Sequence, residues 1–290
     1  MKKRIITIFI LISLYLAGSI NCFAWKTMGD SKKLEKIYQL TESGDFEKAI
    51  EEINSLIPNY LDSPDDLRFL VLQKVDLLLK SKRFDEATAT CNLETQAFGR
   101  DITTAKGFDQ EARKLSLLVN VYMAFEKWDK ALECQLELID FLNKTPKPND
   151  MSDQTIEGIR KISVNQFHTE RLGDIYAKLA RHKQALECYQ RALNTYTQYS
   201  LAESKESPPA EVNIKYKVNM ELPLKIAELL EKIGNKEETL KHLTKIKNYL
   251  TDSTVRAEFK QKDPNYLPVL DESEMKIDKK LKELEKNMKQ

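Results

Sequence analysis

The chain has 290 residues, 41% of them hydrophobic, so it can bury a sizeable core. Its 46 basic and 45 acidic residues almost balance, which excludes the strongly basic surface that is typical of nucleic-acid-binding proteins. Only 8 glycines and 9 prolines are present, which favours a helical protein over a β-rich one.

The N-terminus has the layout of a secretory signal peptide. A positive start at residues 2–4 precedes an almost wholly apolar segment, 5–16. Small residues follow, and cleavage after Ser19 or after Ala24 is compatible with the pattern. We therefore leave 1–24 out of the fold and expect an exported protein, periplasmic or extracellular.

Two other interpretations of this N-terminus remain open. The stretch from Ile5 to Ala24 is about 20 residues long, which is enough for an uncleaved membrane anchor. Cys22 would carry a lipid if the chain were a bacterial lipoprotein. In both of these cases the protein is tethered to a membrane.

A short motif then returns along the chain. Each copy has a polar turn, usually an aromatic residue, charged residues, a small residue and usually an aliphatic one, with helix-like apolar periodicity on both sides. The small residues are Ala49, Ala87, Ala131, Ala185 and Thr239. Aligning them as position 20 defines repeats 1 to 5, which cover 30–63, 68–101, 112–145, 166–199 and 220–253. An internal repeat of this kind predicts stacked helical hairpins.

The repeats resemble tetratricopeptide repeats, and the resemblance is best in repeat 4. That repeat has the family's small and aromatic residues at matching positions in both helices, namely Leu172, Gly173, Tyr176, Ala185, Tyr189 and Ala192. The resemblance implies an all-α fold, a right-handed superhelix (α-solenoid) of about five hairpins, over residues 25–262. Small residues such as Gly173 and Ala185 would let the two helices of a hairpin approach closely.

The repeats also depart from the family pattern. None has Trp at position 4 or Pro at position 32, and successive repeats start farther apart than the family's roughly 34 residues. We expect the extra residues to lengthen helices, with Ser152 capping a long helix that runs to Leu179. Pro223 is expected to break or kink the first helix of repeat 5. The segments 145–150 and 204–209 are expected to be loops.

Residues 263–290 have a different pattern. Asp271 and Glu274 fit a capping box, so the sequence predicts that a helix starts there. Its apolar residues fall at helical spacing, at Ile277, Leu281, Leu284 and Met288. A stack of repeats needs a polar-faced end, and we therefore expect a capping helix. A partner-binding coiled coil and a membrane-surface helix are the alternatives.

The sequence contains no motif for catalysis, for a cofactor or for a metal ion. The histidines His168, His182 and His242 do not have metal-ligand spacing, and His182 occupies a packing position at a repeat turn. Cys91, Cys134 and Cys188 lie on apolar helical stretches, and we expect them to be free buried thiols.

A partner would bind the concave face that the first helices of such repeats form. The resemblance implies that positions 2, 5, 9 and 12 face this groove. Positions 2 and 9 contain polar, acidic and aromatic residues, which suggests a peptide with basic and apolar side chains. The candidate partner-binding residues are Tyr38, Phe69, Asp76, Arg113, Asn120, Phe167, Asp174 and Glu228. The alternative is that these are ordinary solvent-facing residues, with Lys178 and Lys232 diluting the acidity.

The function that the sequence favours is a non-enzymatic protein–protein interaction scaffold of the cell envelope or the secreted fraction. Its partner would be a protein or peptide, not a nucleic acid. A membrane-anchored signalling regulator is one alternative. An enzyme or carbohydrate-binding protein on a helical-repeat fold is another.

Overall fold

The computed structural model describes residues 31–200 and 208–288. Within those ranges the protein consists of helices and the turns between them, without a β-strand, which confirms the predicted all-α class. The chain divides into two compact units. The N-terminal unit contains the described residues up to Lys127 together with Pro148–Asp150. The C-terminal unit contains Trp128–Lys147 and the described residues from Met151 onward.

The N-terminal unit is a set of antiparallel helices. In chain order they are α1 (Ser31–Ser43), α2 (Phe46–Leu56), α3 (Pro64–Lys80), α4 (Phe84–Thr90), α5 (Leu93–Phe98) and α6 (Ala105–Ala124). Each of the first three packs against the next, α5 packs against α3 and α6, and the buried residues of the unit form a hydrophobic core. The second helix of repeat 2 is divided between α4 and α5.

The C-terminal unit continues with longer hairpins. Its helices are α7 (Trp128–Lys144), α8 (Asp153–Gly158), α9 (Thr169–Lys178), α10 (His182–Thr195), α11 (Pro208–Tyr216), α12 (Leu222–Lys232), α13 (Lys236–Thr251), α14 (Ser253–Lys262) and α15 (Leu267–Met288). Repeat 4 is the α9–α10 hairpin and repeat 5 is the α12–α13 hairpin. The boundary between the two units falls at the turn of repeat 3.

Every repeat has the same turn between its helices. Position 15 is left-handed in all of them, with φ between 55° and 82°, at Gly44, Lys82, Glu126, Ala180 and Gly234. In repeat 4 the Ala180 N–H donates to Ala177 O (3.3 Å) and the Arg181 N–H donates to Tyr176 O (2.9 Å), as in a Schellman motif. The corresponding pair of bonds is present in the other four repeats. The polar turn in the sequence motif is therefore a helix-ending device.

The small residues of the motif lie where the helices of a hairpin meet. Ala49, Ala87, Ala131 and Ala185 have no exposed surface, and Thr239 is 1% exposed. In repeat 4 a Cβ on Gly173 would lie 2.6 Å from Tyr189 Cε1, which no real contact allows. The predicted close approach of α9 and α10 is confirmed, and it requires glycine at this position.

The long helix predicted after Ser152 is present. Ser152 Oγ accepts the Thr155 N–H at 3.1 Å, and the helical segment runs from α8 to the end of α9. Its middle, Ile159–His168, is π-helical, which the sequence did not indicate. Two further π segments, Tyr196–Ser200 and Lys217–Glu221, lie in the same unit.

Proline and loop predictions have mixed outcomes. Pro223 lies in the first turn of α12, directly after a π segment, so the chain changes its helical register there rather than ending the helix. Residues 145–150 form a loop as expected. Most of 204–209 lies outside the described residues, and Pro208 already begins α11.

The predicted signal segment 1–24, with Cys22, also lies outside the described residues. No helix in the described ranges is long and apolar enough to cross a membrane.

The C-terminal helix packs on repeat 5 as a cap. Its apolar residues Ile277, Leu281 and Leu284 are buried against α13, while Met288 is exposed. The predicted start at Asp271 is wrong, because α15 begins at Leu267. The Asp271 carboxylate does not cap this helix and instead pairs with Arg256 of α14.

Candidate functional site

The candidate partner-binding residues fall in both units. Tyr38, Phe69, Asp76, Arg113 and Asn120 belong to the N-terminal unit. Phe167, Asp174 and Glu228 belong to the C-terminal unit.

The aromatic candidates of the N-terminal unit are packing residues. Phe69 is 7% exposed and belongs to the hydrophobic core, which corrects the expectation that its side chain faces a groove. Tyr38 is half-buried and packs against the same core. The expectation failed because α3 is covered on more than one side, so position 2 of repeat 2 is not open.

The charged candidates of this unit are paired within the chain. The Asp76 carboxylate pairs with the Lys80 ammonium, which lies one helical turn farther along α3, at 2.6 Å. Arg113 pairs with Asp109 (2.5 Å) and with Glu94 (3.1 Å), which is 4% exposed. Burial raises the pKa of Glu94, and the Arg113 charge opposes that rise. This pair fixes α5 to α6 and is structural.

Asp174 belongs to a network of charges in the C-terminal unit. Its Oδ1 accepts the Tyr189 hydroxyl at 2.7 Å and Lys225 Nζ at 2.9 Å. Lys225 also donates to Glu170 at 3.0 Å, and Lys217 lies 3.0 Å from the other oxygen of Glu170. The network joins α9 of repeat 4 to α12 of repeat 5 and to the π segment before it.

The pKa values in this network follow from its pairing. Burial raises the pKa of Glu170, but the charges of Lys225 and Lys217 outweigh it and hold the pKa below its usual value. Burial lowers the pKa of Lys225, and the carboxylates of Asp174 and Glu170 outweigh that, so the pKa is raised well above its usual value. Burial raises the pKa of Tyr189 far above its usual range. Glu170 and Lys225 are therefore charged and Tyr189 is neutral near pH 7.

Phe167 lies beside this network. Its side chain is 38% exposed, and its ring packs edge-on against Tyr196 with 5.9 Å between the centroids. The Tyr196 hydroxyl is 3.3 Å from Glu170. Phe167 thus places an exposed aromatic ring next to the paired charges.

Glu228 lies farther along α12 on the same side as Glu221, since residues three or four apart share a helix face. The same spacing of three or four residues separates positions 2, 5, 9 and 12 of repeat 5. These positions are Glu221, Leu224, Glu228 and Glu231. Glu221 is 3.6 Å from both Lys217 and Lys225. Glu228 and Glu231 share Lys280 of α15, at 3.3 and 3.8 Å.

We call the surface formed by Phe167, Asp174, Glu221, Glu228 and Glu231 the acidic face. The carboxylates of this face and of Glu170 form ion pairs with three lysines in the part of the chain that the structure describes. These are Lys217, Lys225 and Lys280. Lys178, which was expected to dilute the acidity, lies instead over the Trp128 ring at 5.5 Å. The Arg171 guanidinium adds a positive charge that acts on Asp174. The five carboxylates, counting Glu170, outnumber these four cations, so the face keeps an excess of negative charge beside an exposed aromatic ring.

A cleft opens at the end of this face, between α12, α13 and α15. Its volume is about 290 Å³, and its lining includes Leu224, Glu228, Glu231 and Lys280. Leu243 and Ile277 also line it and are 2% and 1% exposed, so they form its apolar floor.

Sequence reasoning missed Glu170 and its lysines. Glu170 occupies position 5 of repeat 4, so extending the search from positions 2 and 9 to position 5 would have found it. Lys217 lies in a π segment outside the repeat boundaries, and no sequence signal places it against Glu170.

The histidines and cysteines are packing groups. Burial and the neighbouring Arg171 charge lower the pKa of His168 to about 3, so its ring is neutral near pH 7. Cys91, Cys134 and Cys188 are buried and form no disulfide, and burial raises the pKa of the Cys188 thiol to about 11. Within 31–200 and 208–288, no three metal-ligating side chains of the His, Cys, Asp or Glu type come together.

Residues 169–203 match the family model of the tetratricopeptide repeat. The chain therefore contains a tetratricopeptide repeat in this segment. The matched segment contains α9 and α10, so the tetratricopeptide resemblance of repeat 4 is confirmed, and repeats of this family are typically protein-interaction modules. Asp174 and its partner Tyr189 lie inside this tetratricopeptide repeat.

A solved structure is similar in fold. It is the crystal structure of BtubC (BKLC) from P. vanneervenii, with a TM-score of 0.51 over 90% of this chain and 93% of that one. The two sequences are 14% identical, so the likeness shows the fold alone. No curated protein matches this chain in sequence.

Proposed function

We propose that this chain is a non-enzymatic scaffold whose acidic face binds another protein. The observation that carries the proposal is the position of that face. It lies on α9 of the tetratricopeptide repeat, on α12 of the next hairpin and on the π segments that precede these two helices, and its carboxylates outnumber their lysines.

The expected partner segment has basic and apolar side chains. Basic side chains complement the carboxylates of Asp174, Glu221, Glu228 and Glu231, and charge complementarity speeds the encounter and selects against acidic partners. Apolar side chains fit the exposed ring of Phe167 and the cleft floor at Leu243. The proposal assigns no binding role to the buried Phe69.

The proposed place of action is the cell envelope or the secreted fraction. The support is the positive and then apolar pattern of residues 1–24, which is typical of an export signal. An uncleaved anchor, or a lipid on Cys22, would hold the same scaffold at a membrane. The mass of the mature N-terminus distinguishes a cleaved signal from an anchor.

Site-specific photo-cross-linking tests the binding proposal. We expect a photoreactive phenylalanine analogue at position 167 to form a covalent adduct with one protein in the cells that make this chain. The control places the same analogue at Lys241 on α13, whose side chain is 75% exposed but lies outside the acidic face. Equal adducts at both positions, or no protein adduct at position 167, would contradict the proposal.

A further inference from the structure

The cleft at the end of the acidic face has two chemically different parts. Its floor is apolar, because Leu243 and Ile277 are almost completely buried and Leu224 is half-buried. Its rim contains Glu228 and Glu231, whose side chains are 47% and 51% exposed. An apolar floor below a carboxylate rim suits a group with an aliphatic stem and a charged end, since long cationic side chains bury the stem and keep the head in water.

The charges around the cleft are unevenly satisfied. Lys276 lies 2.7 Å from Glu272, and Lys279 lies 4.0 Å from Glu283, so each of these lysines has a carboxylate of its own on α15. Glu228 and Glu231 instead share the single ammonium of Lys280, at 3.3 and 3.8 Å. This edge of the cleft therefore has an excess of one negative charge and attracts a cation.

We propose that this cleft is a subsite for a lysine or arginine side chain of the partner protein, and that Lys280 is the internal cation with which that side chain competes. The proposal rests on the scaffold function proposed above and specifies the chemistry of one contact. The incoming stem lies on Leu224, Leu243 and Ile277, and the cationic head reaches Glu228 and Glu231. Lys280 holds these two carboxylates while no partner is bound.

The volume of the cleft agrees with one side chain rather than with a larger ligand. At about 290 Å³ it lies at the lower limit of the pockets that hold drug-sized molecules. The contacts of Lys280 are also weak, since ion pairs between exposed side chains contribute little to stability. A partner cation can therefore displace Lys280 at little cost in free energy.

The test uses the purified protein and small probes, so it does not depend on the partner. Hexylammonium has the charge of a lysine side chain on a somewhat longer aliphatic stem, hexanoate reverses the charge, and hexanol has none. We expect hexylammonium to cause saturable NMR shifts of the methyl groups of Leu224, Leu243 and Ile277. Hexanol and hexanoate should bind at least about fivefold more weakly, which corresponds to one exposed charge contact. Equal binding of the three probes, or tighter binding of hexanoate, would overturn the proposal.

Two variants examine the roles of the charges. Glu228→Gln with Glu231→Gln should weaken hexylammonium binding about fivefold and leave hexanol binding unchanged. Lys280→Met should strengthen hexylammonium binding several-fold, because the internal competitor is removed. If Lys280→Met bound hexylammonium no more tightly than the unmodified protein does, Lys280 would not be the competing cation. Circular dichroism and the dispersion of the methyl signals confirm that each variant is folded.

The outcomes separate this proposal from the scaffold function. An adduct at position 167 without hexylammonium binding would leave the scaffold standing and remove the cation subsite. Hexylammonium binding without any protein adduct would establish the cation site but not a partner side chain. If the same methyl signals shift when the protein alone is concentrated, a second copy fills the cleft and the proposed occupant is wrong.

Discussion

At the scale of single residues, internal charge pairing determines what the acidic face presents to a partner. Asp174 is bound by Tyr189 and Lys225, and its side chain is 21% exposed. Glu228 and Glu231 are about half exposed and share one lysine. The residues best placed to contact a partner are therefore Glu228 and Glu231, whereas Asp174 is mainly a structural member of the network.

The sequence predicted some of these residues for physical reasons that can be stated. Gly173 and Ala185 stood out because a helical hairpin needs small residues where its helices meet, and both are buried. Phe69 was misjudged because a helix position indicates a face but not what covers that face. The lysines paired with Glu170 come from distant parts of the chain, and only the folded structure brings them together.

The close approach at Gly173 can be measured by substitution. Gly173→Ala puts a Cβ 2.6 Å from Tyr189 Cε1 and 3.2 Å from Cys188 Cβ. We expect it to lower the free energy of unfolding by about 1–3 kcal/mol, as overpacking does. Urea denaturation followed by circular dichroism provides the measurement.

Gly158→Ala is the matched control for this variant. Gly158 is also helical, but a Cβ there would have no atom within 4 Å. Its replacement should raise the free energy of unfolding by up to about 1 kcal/mol through helix propensity alone. If both variants were equally stable, the close contact at Gly173 would not exist.

At the scale of elements, the repeat turns and the π segments differ in how well the sequence indicates them. The turns were predicted because each copy has the polar, helix-ending motif, and the residue at position 15 is left-handed in all of them. The π segments were not predicted, since a helix of this kind has no distinct hydrophobic period in a short window. Tyr196 and Lys217 lie in π segments, and Glu170 follows shortly after another. The local register of the network therefore followed from the fold and not from the repeat alignment.

The left-handed turn of repeat 4 should be strained by its side chain. Ala180 has a φ of 57°, whereas the corresponding residues of repeats 1 and 5 are Gly44 and Gly234. A residue with a Cβ costs about 1–2 kcal/mol in this conformation, partly offset by the greater entropy of glycine in the unfolded chain. We therefore expect Ala180→Gly to raise the free energy of unfolding by about 0.5–1 kcal/mol, measured by urea denaturation.

The control for the turn is an alanine in an ordinary helix. Ala257 is exposed in the middle of α14, and Ala257→Gly should lower the free energy of unfolding by about 1 kcal/mol. The two substitutions are chemically identical and should have opposite signs. A loss of stability in both would mean that Ala180 is not strained.

At the scale of the whole molecule, the sequence predicted the class and the family but not the division of the chain. The motif and the tetratricopeptide resemblance led to helical hairpins, which the structure and the family match confirm. The boundary between the two compact units falls inside repeat 3, at Lys127 and Trp128, where the repeat alignment shows no break. Contacts between distant residues decide such a boundary, and a repeat alignment contains no information on them.

The central claim is that the acidic face of the C-terminal unit is the partner-binding surface. It is tested most directly by the dissociation constant of the partner that the cross-link at position 167 identifies. Glu228→Lys with Glu231→Lys should weaken binding at least about tenfold, since it replaces two carboxylates that attract the basic partner with two ammonium groups that repel it. The control, Glu133→Lys with Glu137→Lys, makes the same charge change on two exposed residues of α7 and should bind like the unmodified protein. Equal affinities for both double variants would contradict the claim.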